Sequence, residues 1–372
     1  MKIIFVGGGT AGHINPALSL AEHFLKEEPD CEILYVGSNS GMESRLVPEE
    51  GFAFKGITIS GFSRKFNIEG FKKNLITLKN ILISGYESKK ILKEFKPDIC
   101  VGTGGYVCGP LLRMAAKLDI PFIIHDSNSF PGLTTKLLAK KAYKVLLANK
   151  SAKAYLPSNL KNIEITGTPV RKKISLISKN EAKKRLSIEN DYPIILSFGG
   201  SLGAQAINEA IAEFIIKNKN KNLNFIHGFG KKGHGFLKKL TENGIEINNP
   251  RYIIKEYIKN MDECLAAADL VICRAGATTI SEIQIAAKPA ILIPSPNVAE
   301  NHQYHNAMSL VNENAASIIE EKNLTAKTLS NEIEKLLDGD KEIANTYSKN
   351  LKRIATTDSN EQIYKIVKKI IN

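Results

Sequence analysis

Residues 273 to 282 read Cys-Arg-Ala-Gly-Ala-Thr-Thr-Ile-Ser-Glu and directly follow the largely apolar run at 268 to 272. This order predicts a buried strand, a turn of small residues, and a helix whose first turns carry hydroxyl groups and the carboxylate of Glu282. The backbone N–H groups at a helix start have no partner within the helix, so they bind phosphate well. Glu282 stands where a carboxylate can accept hydrogen bonds from both hydroxyls of a ribose. The stretch therefore indicates one nucleotide-binding half of a larger fold.

A second strand, turn and helix open the chain. Gly7-Gly8-Gly9-Thr10-Ala11-Gly12-His13 follows the predicted strand at 2 to 6 and precedes a helical pattern. A chain of 372 residues is too long for one ordinary core, and 43% hydrophobic with 24% charged residues is typical of a globular protein. The two loops therefore predict an α/β protein with two doubly wound Rossmann-like domains facing a central cleft.

Apolar runs alternate with helical patterns along the whole chain, which predicts parallel sheets covered on both faces. Twelve predicted strands form two series of six. They lie at 3–6, 32–36, 54–59, 99–101, 122–125 and 145–148, and then at 194–198, 224–227, 252–254, 270–273, 290–293 and 316–319. The charged stretch 168–192 between the series predicts a linker with a short helix. We expect domains at 1–167 and 168–350, and a C-terminal helix at 351–372 that packs back on the first domain.

Composition narrows the class of partner. The net charge is +13, and Lys and Arg outnumber acidic residues fourteen to two from 136 to 185 and nine to three from 64 to 96. Such basic faces attract nucleic acid, anionic lipid or phosphorylated substrates, although a generally lysine-rich surface is an alternative explanation.

The first strand leaves no room for a signal peptide, and no apolar run reaches the roughly 18 residues of a membrane span. Five cysteines without metal-binding spacing predict buried, reduced thiols.

The glycine loops indicate phosphate binding without a dinucleotide. Gly7-x-Gly9-x-x-Gly12 matches the dinucleotide fingerprint, but the second strand ends at 35–39 without the acidic residue that would hold a ribose. A second match at 228–233 is better interpreted as a lysine-bearing loop. Further glycine turns follow strands at 102–106, 167–171 and 199–204 and favour two diphosphate-bearing ligands. We expect Ser201 at a helix start, where it can donate to a phosphate, and Arg171 to balance a leaving pyrophosphate.

Few titratable groups accompany these loops. His13 lies on the first loop, His125-Asp126-Ser127-Asn128 ends a strand, and the polar side chains at 300–304 suit sugar hydroxyls. The DxD sequence Asp338-Gly339-Asp340 follows the last predicted strand, where we expect a solvated turn and no metal site.

Together these motifs resemble the bacterial UDP-N-acetylglucosamine:lipid I N-acetylglucosaminyltransferases of peptidoglycan synthesis. The resemblance runs nearly end to end. It rests on the first glycine loop with His13 and Pro16, on 104–110, His125-x-x-Asn128, 132–134, 167–171, 199–204, 273–282, and Gln303-Tyr304-x-Asn306-Ala307.

The resemblance implies the GT-B fold and a donor pocket for UDP-N-acetylglucosamine. Its implied residues are Thr10, Ala11, Gly12, Asn128, Arg171, Ser201, Ile258, Ala277, Thr278, Thr279, Ile280, Ser281, Glu282 and Gln303. Glu282 would hold the ribose, the backbone at Ile258 the uracil, and Gln303 the sugar hydroxyls. Gly104, Gly105 and Tyr106 would bind the acceptor diphosphate. The chain departs from the family at Ala11, at Asp126 and at His302, in place of Gly, Glu and Gln.

The implied reaction is inverting transfer of N-acetylglucosamine to the C4 hydroxyl of lipid I, giving lipid II without cofactor or metal. The general base is His13 or Asp126, and the sequence leaves this choice open. The alternatives are another GT-B enzyme, such as a glycolipid synthase or UDP-sugar epimerase, or a non-catalytic nucleotide-sugar or nucleic-acid binding module. No aromatic-interleaved basic stretch supports nucleic acid. Cell-wall synthesis or division proteins are possible partners under this resemblance.

A membrane acceptor requires a docking surface. In the stretch 68–83, Ile68, Phe71, Leu75, Leu78 and Leu82 recur at helical spacing beside Lys72, Lys73 and Lys79. We therefore expect peripheral binding to the cytoplasmic face of the cell membrane. The alternative is that this stripe packs on the domain's own sheet.

Overall fold

The computed structural model of the chain describes residues 1–60, 68–170, 177–337 and 341–372, and for residues 68–76, 78 and 299 it describes the backbone only. The chain divides into two compact units. Unit 1 comprises residues 1–170 and 357–372, and unit 2 comprises residues 171–356. None of the helices in the described ranges is both long enough and apolar enough to span a membrane.

Unit 1 is a parallel sheet with helices on both faces. Its strands are β1 (Lys2–Val6), β2 (Glu32–Ser38), β3 (Ala53–Ile57), β4 (Ile99–Gly102), β5 (Phe122–Asp126), β6 (Lys144–Leu147) and β7 (Ile163–Ile165). Its helices are α1 (Ala11–Glu27), α2 (Glu43–Glu49), α3 (Ile68–Phe95), α4 (Cys108–Lys117), α5 (Leu133–Leu138) and α14 (Ser359–Ile371). Within the described residues the strand order is β3-β2-β1-β4-β5-β6-β7. The chain thus reverses its direction of winding between β1 and β4.

Alternation along the strands assigns side chains to two cores. Ile4 and Val6 of β1 pack with α3, α4 and α5, whereas Ile3 and Phe5 pack with α1 and α14 on the other face. Helix α14 contributes the fully buried Ile363 and Val367 to this second core. All five cysteines of the chain are buried free thiols, as their apolar surroundings in sequence predicted.

Unit 2 repeats the same design. Its strands are β8 (Ile194–Phe198), β9 (Asn224–Gly228), β10 (Tyr252–Lys255), β11 (Leu270–Cys273), β12 (Ala290–Leu292) and β13 (Ser317–Ile318). Its helices are α6 (Lys179–Arg185), α7 (Gln205–Lys217), α8 (Gly235–Glu242), α9 (Met261–Ala267), α10 (Ala277–Ala286), α11 (His302–Val311), α12 (Ala326–Leu337) and α13 (Glu342–Ile354). Parallel pairing in the order β10-β9-β8-β11-β12-β13 places the reversal between β8 and β11.

The predicted fold class of two doubly wound parallel sheets is confirmed, and each predicted strand is present within two residues at either end. The prediction of six strands in the first series was wrong by one. The additional strand, β7, has three residues and pairs only with β6 at the edge of the sheet in the described part of the chain. Its Ile165 is 42% exposed. A short edge strand pairs with a neighbouring strand on one side only, so it lacks the continuous apolar run that is typical of a central parallel strand. Sequence patterns therefore did not reveal β7.

Candidate active site

In unit 1, two glycine loops meet at the point where the strand order reverses. The first loop follows β1, and Gly104, Gly105 and Tyr106 follow β4. The Gly8 N–H donates to the Gly104 carbonyl across 3.3 Å, and the Thr103 hydroxyl donates to the His13 carbonyl across 2.7 Å. Ligands of open α/β sheets bind at such reversal points, so the contacts assemble a candidate site at the predicted position.

The His13 imidazole has a defined orientation in this site. Its Nδ1 lies 3.0 Å from the Gly8 carbonyl oxygen and 3.3 Å from the Thr10 hydroxyl. A carbonyl only accepts, so a hydrogen bond to Gly8 requires the proton on Nδ1 and leaves the lone pair of the neutral ring on Nε2. This is the tautomer in which Nε2 can act as a base.

Gly104 and Gly105 allow the second loop to lie against His13. A Cβ atom at Gly104 would come within 2.6 Å of the imidazole, and one at Gly105 within 2.2 Å of the Gly8 oxygen. Their φ values of +109° and +87° also exclude most side chains. Tyr106, which is 36% exposed, packs over Gly9. Burial raises the pKa of the Tyr106 phenol, with a smaller contribution from the charge of Glu43.

Asp126 is buried at the end of β5, and four donors surround its carboxylate. Oδ1 accepts from the backbone and side-chain N–H groups of Asn128 at 3.0 and 3.2 Å. Oδ2 accepts from the Gly132 N–H at 2.9 Å and from the Thr135 hydroxyl at 2.7 Å. The carboxylate thereby joins the loop after β5 to the first turn of α5.

No sequence pattern singles out Glu43, which the structure places against the first loop. Its side chain is fully buried, Oε2 accepts from the Gly9 N–H at 3.1 Å, and Oε1 accepts from the Ser38 N–H at 2.9 Å. Glu43 lies 34 residues beyond Gly9, after the intervening strand β2. Only the folding of β2 beside β1 brings the two together, so no local pattern could have revealed the contact.

In unit 2, the Gly199–Ala204 loop after β8 and the start of α10 after β11 flank the second reversal point. Backbone hydrogen bonds hold the Gly228–Gly233 loop beside the Gly199–Ala204 loop. The Lys231 N–H donates to the Ser201 carbonyl, and the Lys232 N–H donates to the Leu202 carbonyl. Ser201 is exposed and lies four residues before α7, in the turn and not in the helix. Two exposed lysines therefore accompany Ser201.

Helix α10 begins after β11, at Ala277, with no side-chain hydrogen bond at its cap residue Gly276. The Thr278 hydroxyl is buried and has no hydrogen-bond partner among the described residues. Ile280 packs into the core, and the Ser281 hydroxyl donates to the Ala277 carbonyl at 3.2 Å. Backbone N–H groups, Thr278 and the partly exposed Thr279 are therefore the donors at this helix start.

Glu282 lies one turn further along α10. Its side chain is partly exposed but densely surrounded by protein, and this desolvation raises its pKa to about 7. A desolvated carboxyl in the second turn of a helix that follows a strand end is a candidate ligand-binding group.

The remaining predicted donor residues flank the ends of β10 and β12. Ile258 is buried in the core beside Gly228. The Gln303 side-chain oxygen accepts from the Ser295 N–H at 2.9 Å, and His302 Nε2 lies 3.1 Å from the Glu300 carboxylate. Before α11, Glu300 and Asn301 both adopt left-handed backbone conformations, with φ of 46° and 51°. Successive non-glycine residues of this kind are strained and are frequent at ligand sites.

Some predicted positions lie outside the described residues. They are Arg171, the Asp338–Asp340 turn, and the basic pair Arg64 and Lys65. Within the described ranges, one group of metal-ligating side chains lies together, namely His23, Glu27 and Glu361 on α1 and α14. Lys365 pairs with Glu361 at 3.1 Å and Lys26 with Glu27 at 3.8 Å, so lysines already neutralise both carboxylates.

Comparison with known proteins identifies the class. Residues 3–147 match the glycosyltransferase family 28 N-terminal domain, and residues 194–368 match the glycosyltransferase family 28 C-terminal domain. Two Rossmann-like units with glycine loops at both reversal points define a GT-B glycosyltransferase. A crystal structure of MurG from Acinetobacter baumannii is 25% identical, covers 99% of both chains and superimposes with a TM-score of 0.75.

Curated relatives identify the family. A UDP-N-acetylglucosamine--N-acetylmuramyl-(pentapeptide) pyrophosphoryl-undecaprenol N-acetylglucosamine transferase from Acetivibrio thermocellus is 43% identical over 100% of this chain and 98% of its own. The protein of the same name from Thermoanaerobacter sp. is 42% identical over the full length of both. The chain belongs to this family of N-acetylglucosamine transferases.

Proposed function

We propose that the chain transfers N-acetylglucosamine from UDP-N-acetylglucosamine to the C4 hydroxyl of undecaprenyl-diphosphate-N-acetylmuramoyl-pentapeptide. The proposal rests on one observation: relatives that are named for this transfer are 43% and 42% identical to the chain over its full length. The acceptor oxygen forms a bond to the anomeric carbon, the bond from that carbon to the UDP oxygen breaks, and the acceptor proton passes to a base. Attack from the face opposite to UDP inverts the anomeric configuration.

Residues of unit 2 that are assigned to the UDP-sugar site would stabilise UDP as the leaving group. The N–H groups at the start of α10, the buried Thr278 hydroxyl and Ser201 are donors for the diphosphate, where negative charge develops as the bond breaks. Glu282 accepts from the ribose hydroxyls, the Ile258 backbone contacts the uracil, and Gln303 faces the sugar. Arg171 is assigned to the same diphosphate from the sequence motif alone.

His13 is the better candidate for the base. The Gly8 carbonyl fixes its Nδ1 proton, so Nε2 carries the lone pair that accepts the proton of the C4 hydroxyl. Both carboxylate oxygens of Asp126 already accept hydrogen bonds, four in total, from Asn128, Gly132 and Thr135 of its own loop and helix. We assign Asp126 to holding the loop of Asn128, and Gly104, Gly105 and Tyr106 to the acceptor diphosphate.

One face of unit 1 is suited to an anionic lipid surface on the cytoplasmic side of the membrane. On α3, Leu82 and Tyr86 are 79% and 73% exposed, and on α5 Leu133 and Leu137 are 63% and 70% exposed. Both helices pack in the same core on one side of the sheet. Lys79, Lys136, Lys140 and Lys141 accompany these apolar side chains. Most of the originally predicted stripe lies outside the described side chains, so this lipid-facing patch rests on these four residues.

The decisive experiment is transfer of labelled N-acetylglucosamine from its UDP derivative to the purified lipid acceptor. Formation of a labelled lipid disaccharide with release of one UDP per transfer is expected. Parallel reactions with diacylglycerol, and with the donor alone, test a glycolipid synthase and an epimerase. Product in either parallel reaction without product on the muramoyl acceptor would reject the proposal.

A further inference from the structure

A single peptide group connects Glu43 to His13. The peptide that joins Gly8 to Gly9 donates its N–H to Glu43 Oε2 at 3.1 Å. The carbonyl of the same peptide lies 3.0 Å from Nδ1 of His13. Carboxylate, peptide and imidazole therefore form one continuous chain of hydrogen bonds.

We propose that Glu43 is a positioning residue that acts through the Gly8–Gly9 peptide to hold the Nδ1 proton of His13 and to strengthen Nε2 as a base. The inference rests on the proposed function only for the reaction that the base serves. No proton crosses the peptide group. The imidazole gains a proton at Nε2 from the acceptor hydroxyl and keeps the one at Nδ1.

The physical reason is polarisation along the chain. A negative charge at the N–H end of an amide increases the negative charge on its carbonyl oxygen, and hydrogen bonds in series strengthen one another in a poorly solvated site. The carbonyl then stabilises the imidazolium that forms when Nε2 takes a proton. In serine proteases a buried aspartate does this for histidine by direct contact. Here a peptide group stands between them, so a smaller effect is expected.

The surroundings of Glu43 are built for a buried carboxylate. A Cβ atom would come within 2.2 Å of its oxygens at Gly8, 2.3 Å at Gly41, and 2.4 Å of its Cγ at Gly37. Both oxygens face backbone N–H groups, and acceptor-only groups suit such donors.

Other titratable groups pack around the same loop from neighbouring elements. They are Tyr35 of β2, Tyr106 and Cys108 after β4, and Asp126 of β5. Burial raises the pKa of both phenols and raises that of the Cys108 thiol to about 12, so these groups stay neutral near pH 7. Asp126 remains in all variants below, so Glu43 is the variable charge.

The test is a nitrogen-15 NMR titration of the His13 ring in the full-length protein, with and without Glu43→Gln. The wild type is expected as the Nδ1–H tautomer. Removing the charge should lower the midpoint of the His13 titration by roughly one pH unit, from Coulomb interaction at an intermediate dielectric. In the transfer assay, turnover should fall roughly 3- to 30-fold, because a weaker base takes the proton less readily, with the KM for the donor unchanged.

Tyr35→Phe is the matched control, because it removes the phenol bond of 3.0 Å to the adjacent Gly7 carbonyl and leaves the Gly8–Gly9 peptide untouched. It should lower the melting temperature without moving the His13 midpoint. An unmoved midpoint in folded Glu43→Gln overturns the proposal. If that variant does not fold, a wild-type His13 protonated at Nε2 instead of Nδ1 overturns it. The titration needs no substrate, so its outcome tests the role of Glu43 even if the transfer assay shows that the proposed function is wrong.

Discussion

The ionised carboxylate of Glu282 is less stable in the ligand-free protein than in water, because burial desolvates it. The stability of the folded protein therefore depends on pH through this group. In the folded state its carboxyl keeps a proton up to about pH 7, whereas in the unfolded chain it ionises near 4.5. Folding therefore binds a proton between these values, so this group lowers stability as pH rises through the window, and the loss is complete above 7. We expect Glu282→Gln to raise the free energy of unfolding by on the order of 2 kcal/mol at pH 8 and by little at pH 4.5. Urea denaturation at the two pH values measures the difference, and an equal effect at both would contradict it.

The same carboxyl should make UDP binding pH-dependent. A carboxylate that accepts from two ribose hydroxyls must be ionised, so affinity should be about tenfold weaker at pH 6 than at pH 8 if its pKa is about 7. Calorimetry on the wild type and on Glu282→Gln gives the ratio of their affinities, which cancels the ionisation of UDP itself. The ratio should approach one as the pH falls. A ratio that is constant with pH would remove Glu282 from the ribose site.

His13→Ala should reduce turnover by roughly 10²–10⁴ if the imidazole is the general base. The affinity for UDP should change little, since the proposed contacts to its ribose and diphosphate are made by other residues, chiefly those of α10. Steady-state kinetics with the lipid acceptor and calorimetry with UDP separate the two effects. The prediction fails if turnover stays within a fewfold of the wild type in a folded variant.

The positions of His13 and Glu282 beside a strand, turn and helix could be predicted from sequence because that pattern is local, whereas their roles in the reaction stay predictions. Glu43 could not be predicted, because its role depends on the pairing of β1 with β2. The raised pKa of Glu282 was equally hidden, since it arises from the packing around α10 and not from the order of residues.

At the level of elements, the central strands were predicted well because both of their faces are buried and their sequences are continuous apolar runs. Helix starts were less certain. Ser201 was expected at a helix start, but the glycine turn continues for four residues, with φ of +90° at Gly200 and +81° at Gly203, before α7 begins. Left-handed glycines extend a turn, and the sequence alone does not show how far.

The segment from β5 to α5 depends on Asp126. Asp126→Asn replaces an acceptor oxygen by an N–H₂ group that faces donors, and should lower the free energy of unfolding by about 2–3 kcal/mol. Thr135→Val removes only one of the four bonds and should cost about 1 kcal/mol. Thermal and urea denaturation give both values. If Asp126→Asn were instead as stable as the wild type but lost turnover by two orders of magnitude, Asp126 would replace His13 as the base.

For the whole molecule, the distribution of positive charge matters more than its total. The chain carries a net charge of +13, and long-range attraction to anionic surfaces is set by where this charge lies relative to exposed apolar groups. On the α3 and α5 side of unit 1, lysines accompany four large apolar side chains that are more than half exposed. Charge attracts a lipid surface at a distance, and apolar insertion holds it at contact.

Sedimentation with vesicles tests this combination. The protein should bind vesicles rich in anionic phospholipid far better than neutral ones, and binding should weaken as salt rises, because each lysine near the surface contributes about 1 kcal/mol at low ionic strength. Leu82→Ser together with Leu137→Ser should reduce binding about tenfold or more, since each removes an inserting side chain of a few kcal/mol at most. Leu25→Ser, at a 37% exposed position of α1 on the other side of the sheet, is the control and should bind as the wild type. UDP affinity should be unchanged in all three proteins. Equal vesicle binding by the double variant and the control would reject this surface as the lipid-binding surface and would leave the assignment of the donor site unaffected.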